Sequence, residues 1–261
     1  MFNYYDFGAY DENGCAKFSV FFPGPQDYSR GGDPKIKELK VFGSFQTALG
    51  QPAWAEENAI RLKPSAFEGG TLYQATTPRL PDGFYEYKYI VLFDDNRHRI
   101  VGDPCARYGG GLHENSGFVI GGSQPSDNIV TPLSTRLEPS DLIIYELMID
   151  DFTKEYLGIR APLDAVIDKL DYIRNLGFNA IEFLPWTAWP GNEFSWGYNP
   201  FMYFAVEYKY TDHPWEPAEK LSRLKRLISE CHKRGLHGLC RKYSEGCNQH
   251  LSAGKIILLK P

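Results

Sequence analysis

The chain has 261 residues, of which 43% are apolar and 23% charged, with a net charge of -5 at pH 7. That length accommodates roughly two domains with a sizeable core. So mild a charge leaves no electrostatic footprint for nucleic acid or an anionic membrane, and neither is an expected partner.

No run approaches the roughly 20 apolar residues of a membrane span. The opening Met1-Phe2-Asn3-Tyr4-Tyr5-Asp6 lacks the basic flank and apolar stretch of a signal peptide, so the expected compartment is the cytoplasm. Five cysteines, Cys15, Cys105, Cys231, Cys240 and Cys247, are odd in number and scattered, and read as free thiols. Cys240, Cys247 and His250 match no zinc-ligand spacing, and no metal or cofactor is expected. The 17 Tyr, 17 Phe and 5 Trp suit sugar binding, although β-rich cores use the same residues.

Residues 1–120 read as an all-β unit. Lys17–Phe22, Glu38–Phe42, Thr71–Thr76 and Phe84–Leu92 are rich in β-branched and aromatic residues and are separated by Gly, Pro and Asp turns. Asp94-Asp95-Asn96 then makes a hairpin turn into Arg97–Val101. No helical period competes, and an immunoglobulin-like β-sandwich fits best. Trp54 lies in this unit and reads either as a core residue or as a sugar contact. Residues 121–140, with Gly121-Gly122 and Pro125, Pro132 and Pro139, have the composition of a linker.

The pattern then changes. Leu142–Met148 is a nearly continuous apolar run, as expected for a strand buried on both faces. Leu163, Val166, Ile167, Leu170, Ile173 and Leu176 recur at helical spacing, with Pro162 near the start and Gly177 at the end. A second strand is expected over 179–185. A second helix follows from about Pro217 to Arg234, with Leu221, Leu224, Leu227, Ile228 and Cys231 on one face. Strand, helix, strand, helix is the repeating unit of a parallel α/β fold.

Between the second strand and the second helix lies Ser195-Trp196-Gly197-Tyr198-Asn199-Pro200-Phe201. Aromatic rings on a Gly/Pro-punctuated loop just past a strand end sit where ligands bind in α/β folds. They read either as sugar-stacking surfaces or as a cluster that packs the loop onto its scaffold.

Several segments together resemble the α-amylase family, glycoside hydrolase family 13, and in particular members with an N-terminal carbohydrate-module-like sandwich, such as glycogen-branching and debranching enzymes. In the β unit these are Val41–Phe45, Gly83–Tyr89 and Val101–Ala106. Further on they are Ile144–Leu147 with Asp151-Phe152-Thr153, then Leu176–Pro185, and then Ser195–Pro200. The resemblance covers residues 1 to about 237.

It implies a sandwich (1–120), a linker (121–140) and the first part of an eight-stranded (β/α) barrel (141–237). It also implies retaining cleavage or transfer of α-glucosidic bonds in glycogen or starch. That chemistry needs a carboxylate nucleophile and a carboxylic acid about 5 Å apart. By position Tyr198 matches the family tyrosine that stacks under the sugar at the cleavage point, and Trp196 is a neighbouring wall of that pocket.

The resemblance stops at about residue 238. Gly238–Cys247 is too polar for the third doubly buried strand, and residues 238–261 read as an atypical tail, with a misread gene end as one explanation. The family's nucleophile, acid/base and third carboxylate belong to later strands, so no catalytic residue is assigned. Glu146, Asp150, Asp151 and Glu182 match no catalytic position and read as structural carboxylates. The expected partner is an α-glucan, with a partial barrel that turns over no substrate alone. Two further readings stay open: a non-catalytic glucan-binding protein, and an interaction protein that pairs an open barrel edge with another chain.

Overall fold

The computed structural model describes residues 6–22, 35–110, 114–122, 130–189, 196–198, 200–210, 218–240 and 257–258. They divide into two compact units: Met1–Gly109 with Glu114–Ser123 and Met202–Ala205, and Gly110–His113 with Gln124–Phe201 and Val206–Pro261. The architecture is mostly β with few helices. No helix among the described residues is long and apolar enough to cross a membrane.

Among the described residues the first unit holds ten strands: β1 (Gly8–Glu12), β2 (Cys15–Phe22), β3 (Ile36–Gly43), β4 (Ile60–Arg61), β5 (Lys63–Phe67), β6 (Gly70–Arg79), β7 (Gly83–Phe93), β8 (His98–Val101), β9 (Tyr108–Gly110) and β10 (Asn115–Ile120). They form two sheets, ordered β1-β2-β6-β5 and β4-β3-β7-β10-β9, with β8 added beside β7. Strand β1 lies outside the expected pattern. It pairs with β2 across Asn13 and Gly14, whose φ values of 58° and 82° are those of a tight hairpin turn.

Period-2 burial builds the core. Tyr87 and Tyr89 of β7 point inward together, and Phe18 of β2 meets Phe45, Tyr87 and Phe118 at ring-centre distances of 5.6, 5.1 and 5.5 Å. Buried among these rings, the Asp103 carboxylate accepts hydroxyl hydrogen bonds from Tyr87 at 2.7 Å and Tyr89 at 3.0 Å. Burial holds its carboxyl above the usual range, against the lowering effect of these bonds.

The second unit contains β11 (Ile144–Leu147), α1 (Ile149–Phe152), α2 (Pro162–Asn175), β12 (Ala180–Phe183), β13 (Thr187–Ala188), α3 (Ala218–Lys233), β15 (His237–Cys240) and β16 (Ile257–Leu258). The short strand β14 (Met202–Val206) belongs to it by Val206. Strands β11, β12 and β15 run parallel, and β16 lies antiparallel against β15. Pro162 occupies the first turn of α2, where its missing N–H costs nothing. Leu163, Val166, Ile167, Leu170 and Ile173 pack against Leu147, Ile181 and Phe183 of the sheet and Leu224, Leu227 and Ile228 of α3. Leu176 departs from the expected stripe: it is the helix C-cap and is half exposed.

Strand β15 corrects the expectation that the chain after residue 237 is too polar for a third buried strand. His237 pairs in register with Ala180 and Leu239 with Glu182. Apolar burial is supplied by Leu236 and Leu239, while Gly238 lets Ile228 of α3 come close to the backbone. Four residues suffice because backbone pairing to β12 adds to the burial of His237 and Leu239. The edge of β15, expected to be bare, is partly paired by β16.

Candidate functional site

The aromatic loop follows the carboxyl end of β12. After Phe183 the chain runs through Trp186 and Trp189, both buried, with Phe183 5.6 Å from Trp186 and Trp189 5.5 Å from Tyr210 between ring centres. These two indoles and Tyr210 form an apolar base. Further along the loop, Trp196 is 50% exposed and Tyr198 half-buried. Ser195 and Asn199 of the same motif lie outside the described residues.

The backbone here is costly. Trp196 has φ 52° and Gly197 φ 77°, and a Cβ on Gly197 would stand 2.2 Å from the Pro185 carbonyl oxygen. A left-handed tryptophan and a glycine pressed onto a strand-end carbonyl are features that persist only where the surroundings enforce them. Their effect is to present the Trp196 indole to solvent at the end of β12.

The acidic residues nearby divide by environment. Glu146 is exposed and Glu182 buried, and the two are register partners on adjacent parallel strands. Asp150 and Asp151 occupy the first turn of α1. Burial pushes the Asp150 carboxyl up, Lys209 pulls it down and Asp151 adds a further rise. The Tyr210 hydroxyl is held well above its ordinary value by burial, reinforced by the charges of Asp150, Glu207 and Asp151. Among the described residues no group of three His, Cys, Asp or Glu side chains has an arrangement fit for a metal ion. Cys247 and His250 lie outside them. Cys15, Cys105 and Cys231 are free thiols.

Sequence reasoning missed Glu207. It is completely buried, and its carboxylate accepts hydrogen bonds from the Trp189 and Lys209 backbone N–H groups at 3.2 and 3.4 Å. The available signal is a single acidic residue inside the aromatic run Tyr203–Tyr208. In the first unit Trp54 has φ 60°, meets Phe42 edge to face at 5.4 Å and donates its backbone N–H to Gly43 O at 3.2 Å. A separate shallow depression of about 190 Å³ in the first unit, lined by Glu38, Lys40, Glu56, Ile90, Leu92 and His98, is smaller than ordinary ligand pockets.

No family model matches the chain. Individual relatives do. The malto-oligosyltrehalose trehalohydrolase of Saccharolobus solfataricus is 35% identical over 151 residues, covering 58% of this chain and 23% of that protein. A 1,4-alpha-glucan branching enzyme of Xanthomonas campestris is 26% identical over 210 residues, covering 78% and 26%. Among solved structures, the group B Streptococcus pullulanase in complex with maltotetraose aligns with a TM-score of 0.67 at 19% identity, over 90% of this chain and 33% of that one. A pullulanase of Paenibacillus barengoltzii in complex with maltohexaose and alpha-cyclodextrin aligns at 0.65 and 20% identity, over 91% and 37%. The chain therefore spans about a quarter of the length of these curated relatives. It is homologous, over that part of their length, to α-amylase-family enzymes.

Proposed function

From this homology to α-amylase-family enzymes we infer that the chain is a glucan-facing segment of a glycoside hydrolase or transglycosylase acting on glycogen or starch. It comprises an immunoglobulin-like sandwich (1–120), a linker (121–140) and the first strands and helices of a (β/α)8 barrel. With β15 included, the barrel portion extends to Cys240. Strands β11, β12 and β15 are parallel with α2 and α3 packed on one face, which is the repeating unit of such a barrel.

The observation that carries the reading is the display of Trp196 beside Tyr198 at the carboxyl end of β12. Barrel enzymes build their sites at that end, and flat rings there stack on sugar faces. Both structural neighbours named above were solved with malto-oligosaccharides. Tyr198 is the floor of the sugar site and Trp196 one wall. The carboxylate pair that retaining chemistry requires belongs to later barrel strands, so this chain binds α-glucan and does not turn it over alone.

Calorimetric titration with maltotetraose and a turnover assay on glycogen test this together. The expected result is saturable binding, weakened about tenfold by Tyr198→Ala and less by Trp196→Ala, with no reducing sugar released. Turnover by the purified chain, or binding indifferent to both substitutions, refutes it.

A further inference from the structure

The segment Pro185–Trp189 has two neighbours pressing on it from different parts of the chain. On one side Gly197 packs onto the Pro185 carbonyl, which fixes Trp196 and Tyr198 to either side. On the other, Glu207 contacts the same segment twice. Its backbone N–H donates to Trp186 O at 2.8 Å, and its Oε2 accepts from the Trp189 N–H at 3.2 Å. Its Oε1 accepts from the Lys209 N–H at 3.4 Å, and its carbonyl accepts from the Tyr210 N–H at 3.2 Å. Between these ties the Phe201 N–H donates to Ala188 O at 3.1 Å. The aromatic loop thus leaves and re-enters through a narrow neck, closed by backbone hydrogen bonds at Trp186 and Ala188 and by a side-chain tie from the Glu207 carboxylate to the Trp189 N–H.

A completely buried carboxylate is an expensive way to satisfy backbone N–H groups. What it provides that an apolar side chain cannot is two acceptors and no donor, aimed at N–H groups on both sides of the neck. Glutamine has the same shape but offers one carbonyl oxygen and turns an NH2 toward a second N–H. The geometry therefore calls for a carboxylate rather than for volume.

We propose that Glu207 is the positioning residue of the glucan platform: by clasping the neck of the loop at Trp189 and Lys209 it holds Pro185–Trp189 in place, and through Gly197 it sets where Trp196 and Tyr198 stand. The role in sugar recognition rests on reading Trp196 and Tyr198 as glucan contacts. The clasp itself does not.

The test uses the full chain carrying Glu207→Gln, with Glu207→Asp as the companion that keeps the charge but withdraws the oxygens. Hydrogen exchange read by mass spectrometry compares the segment 186–201 with helix α2. The expected result is protection lost at least about tenfold in 186–201 with α2 unchanged, because local openings are independent of the global one. Maltotetraose affinity falls by about tenfold in the same sample. A merely structural role predicts equal loss in both segments and an unchanged Kd for the folded fraction, and either result overturns the proposal. So does unaltered protection in 186–201. If Glu207→Gln does not fold, Glu207→Asp is read against the same outcomes. If the unsubstituted chain fails to bind maltotetraose, the glucan reading falls, and the exchange comparison still decides whether Glu207 clasps the loop.

Discussion

Gly197 meets the Pro185 carbonyl so closely that an added methyl group would overlap the oxygen, at 2.2 Å. With φ at 77°, even a relaxed neighbour would leave alanine in a left-handed conformation. Gly197→Ala should cost about 1–2 kcal/mol from that conformation alone. The clash adds to it by lifting the loop from the strand end. Urea denaturation should show the lower stability, and maltotetraose titration a loss of affinity exceeding that of Trp196→Ala. An unchanged urea midpoint would mean that the loop is not pinned there.

The first unit has a buried polar centre that can be probed without touching the aromatic loop. Tyr87→Phe removes the 2.7 Å hydrogen bond to Asp103 and should cost about 2 kcal/mol, the range for a bond to a charged group. Tyr89→Phe removes the 3.0 Å bond and should cost less. The double substitution should exceed the sum, since Asp103 then loses both hydroxyl donors. Chemical denaturation of the three variants checks the order.

Two buried histidines fasten residues 131–137 to α3 and β15 within the second unit. His232 Nδ1 lies 2.5 Å from Thr131 O, and His237 Nε2 accepts the Leu137 N–H at 3.4 Å. Burial lowers the His237 pKa, with His232 and Arg136 adding to the effect. The unfolded chain therefore binds the proton more readily, so this contribution is present above the unfolded value of 6.5 and is lost as pH falls through the folded value. Thermal melts should show stability declining from pH 7 to pH 5, with a shallower decline in His237→Gln. An identical decline in that variant would assign the effect elsewhere.

Asp164 of α2 and Arg223 of α3 form the ion pair that joins the two helices, at 2.6 Å with the carboxylate buried. Arg226 approaches the other oxygen at 3.6 Å. Asp164→Ala should destabilise the chain by about 2 kcal/mol, below the range for fully buried pairs because Arg223 keeps some exposure. The loss should vary little between low and high salt, since a sheltered pair is weakly screened. A loss that disappears in 1 M salt would show the pair to be a surface one.

The sequence announces an element where many residues repeat one pattern. Helix α2 is legible because five apolar side chains share a face, and β7 because its tyrosines alternate. Strand β15 was hidden because the polar letters Arg241 to Glu245 that follow His237-Gly238-Leu239-Cys240 outweigh it in sequence, while pairing with β12 and the burial of Leu239 support it in the fold. Strand β1 was signalled only by Asn13-Gly14, a turn whose meaning depends on the strand partner. The aromatic loop was visible as composition. Its support was not: Glu207 reads as a surface charge until Trp186 and Trp189 are seen beside it. Local periodicity shows up in sequence, whereas a contact between two distant segments leaves a single letter.

The pairing of β2 with β6 shapes how the chain is made. Ala16 and Thr77, which bond across the two strands, are 61 positions apart. At about 5–20 residues per second of synthesis, β2 waits roughly 3–12 s for its partner to emerge. Phe18 has a longer wait for Phe118, which completes its ring contacts. Throughout that interval the nascent chain offers an aromatic strand, Cys15–Phe22, to chaperones and to neighbouring ribosome products.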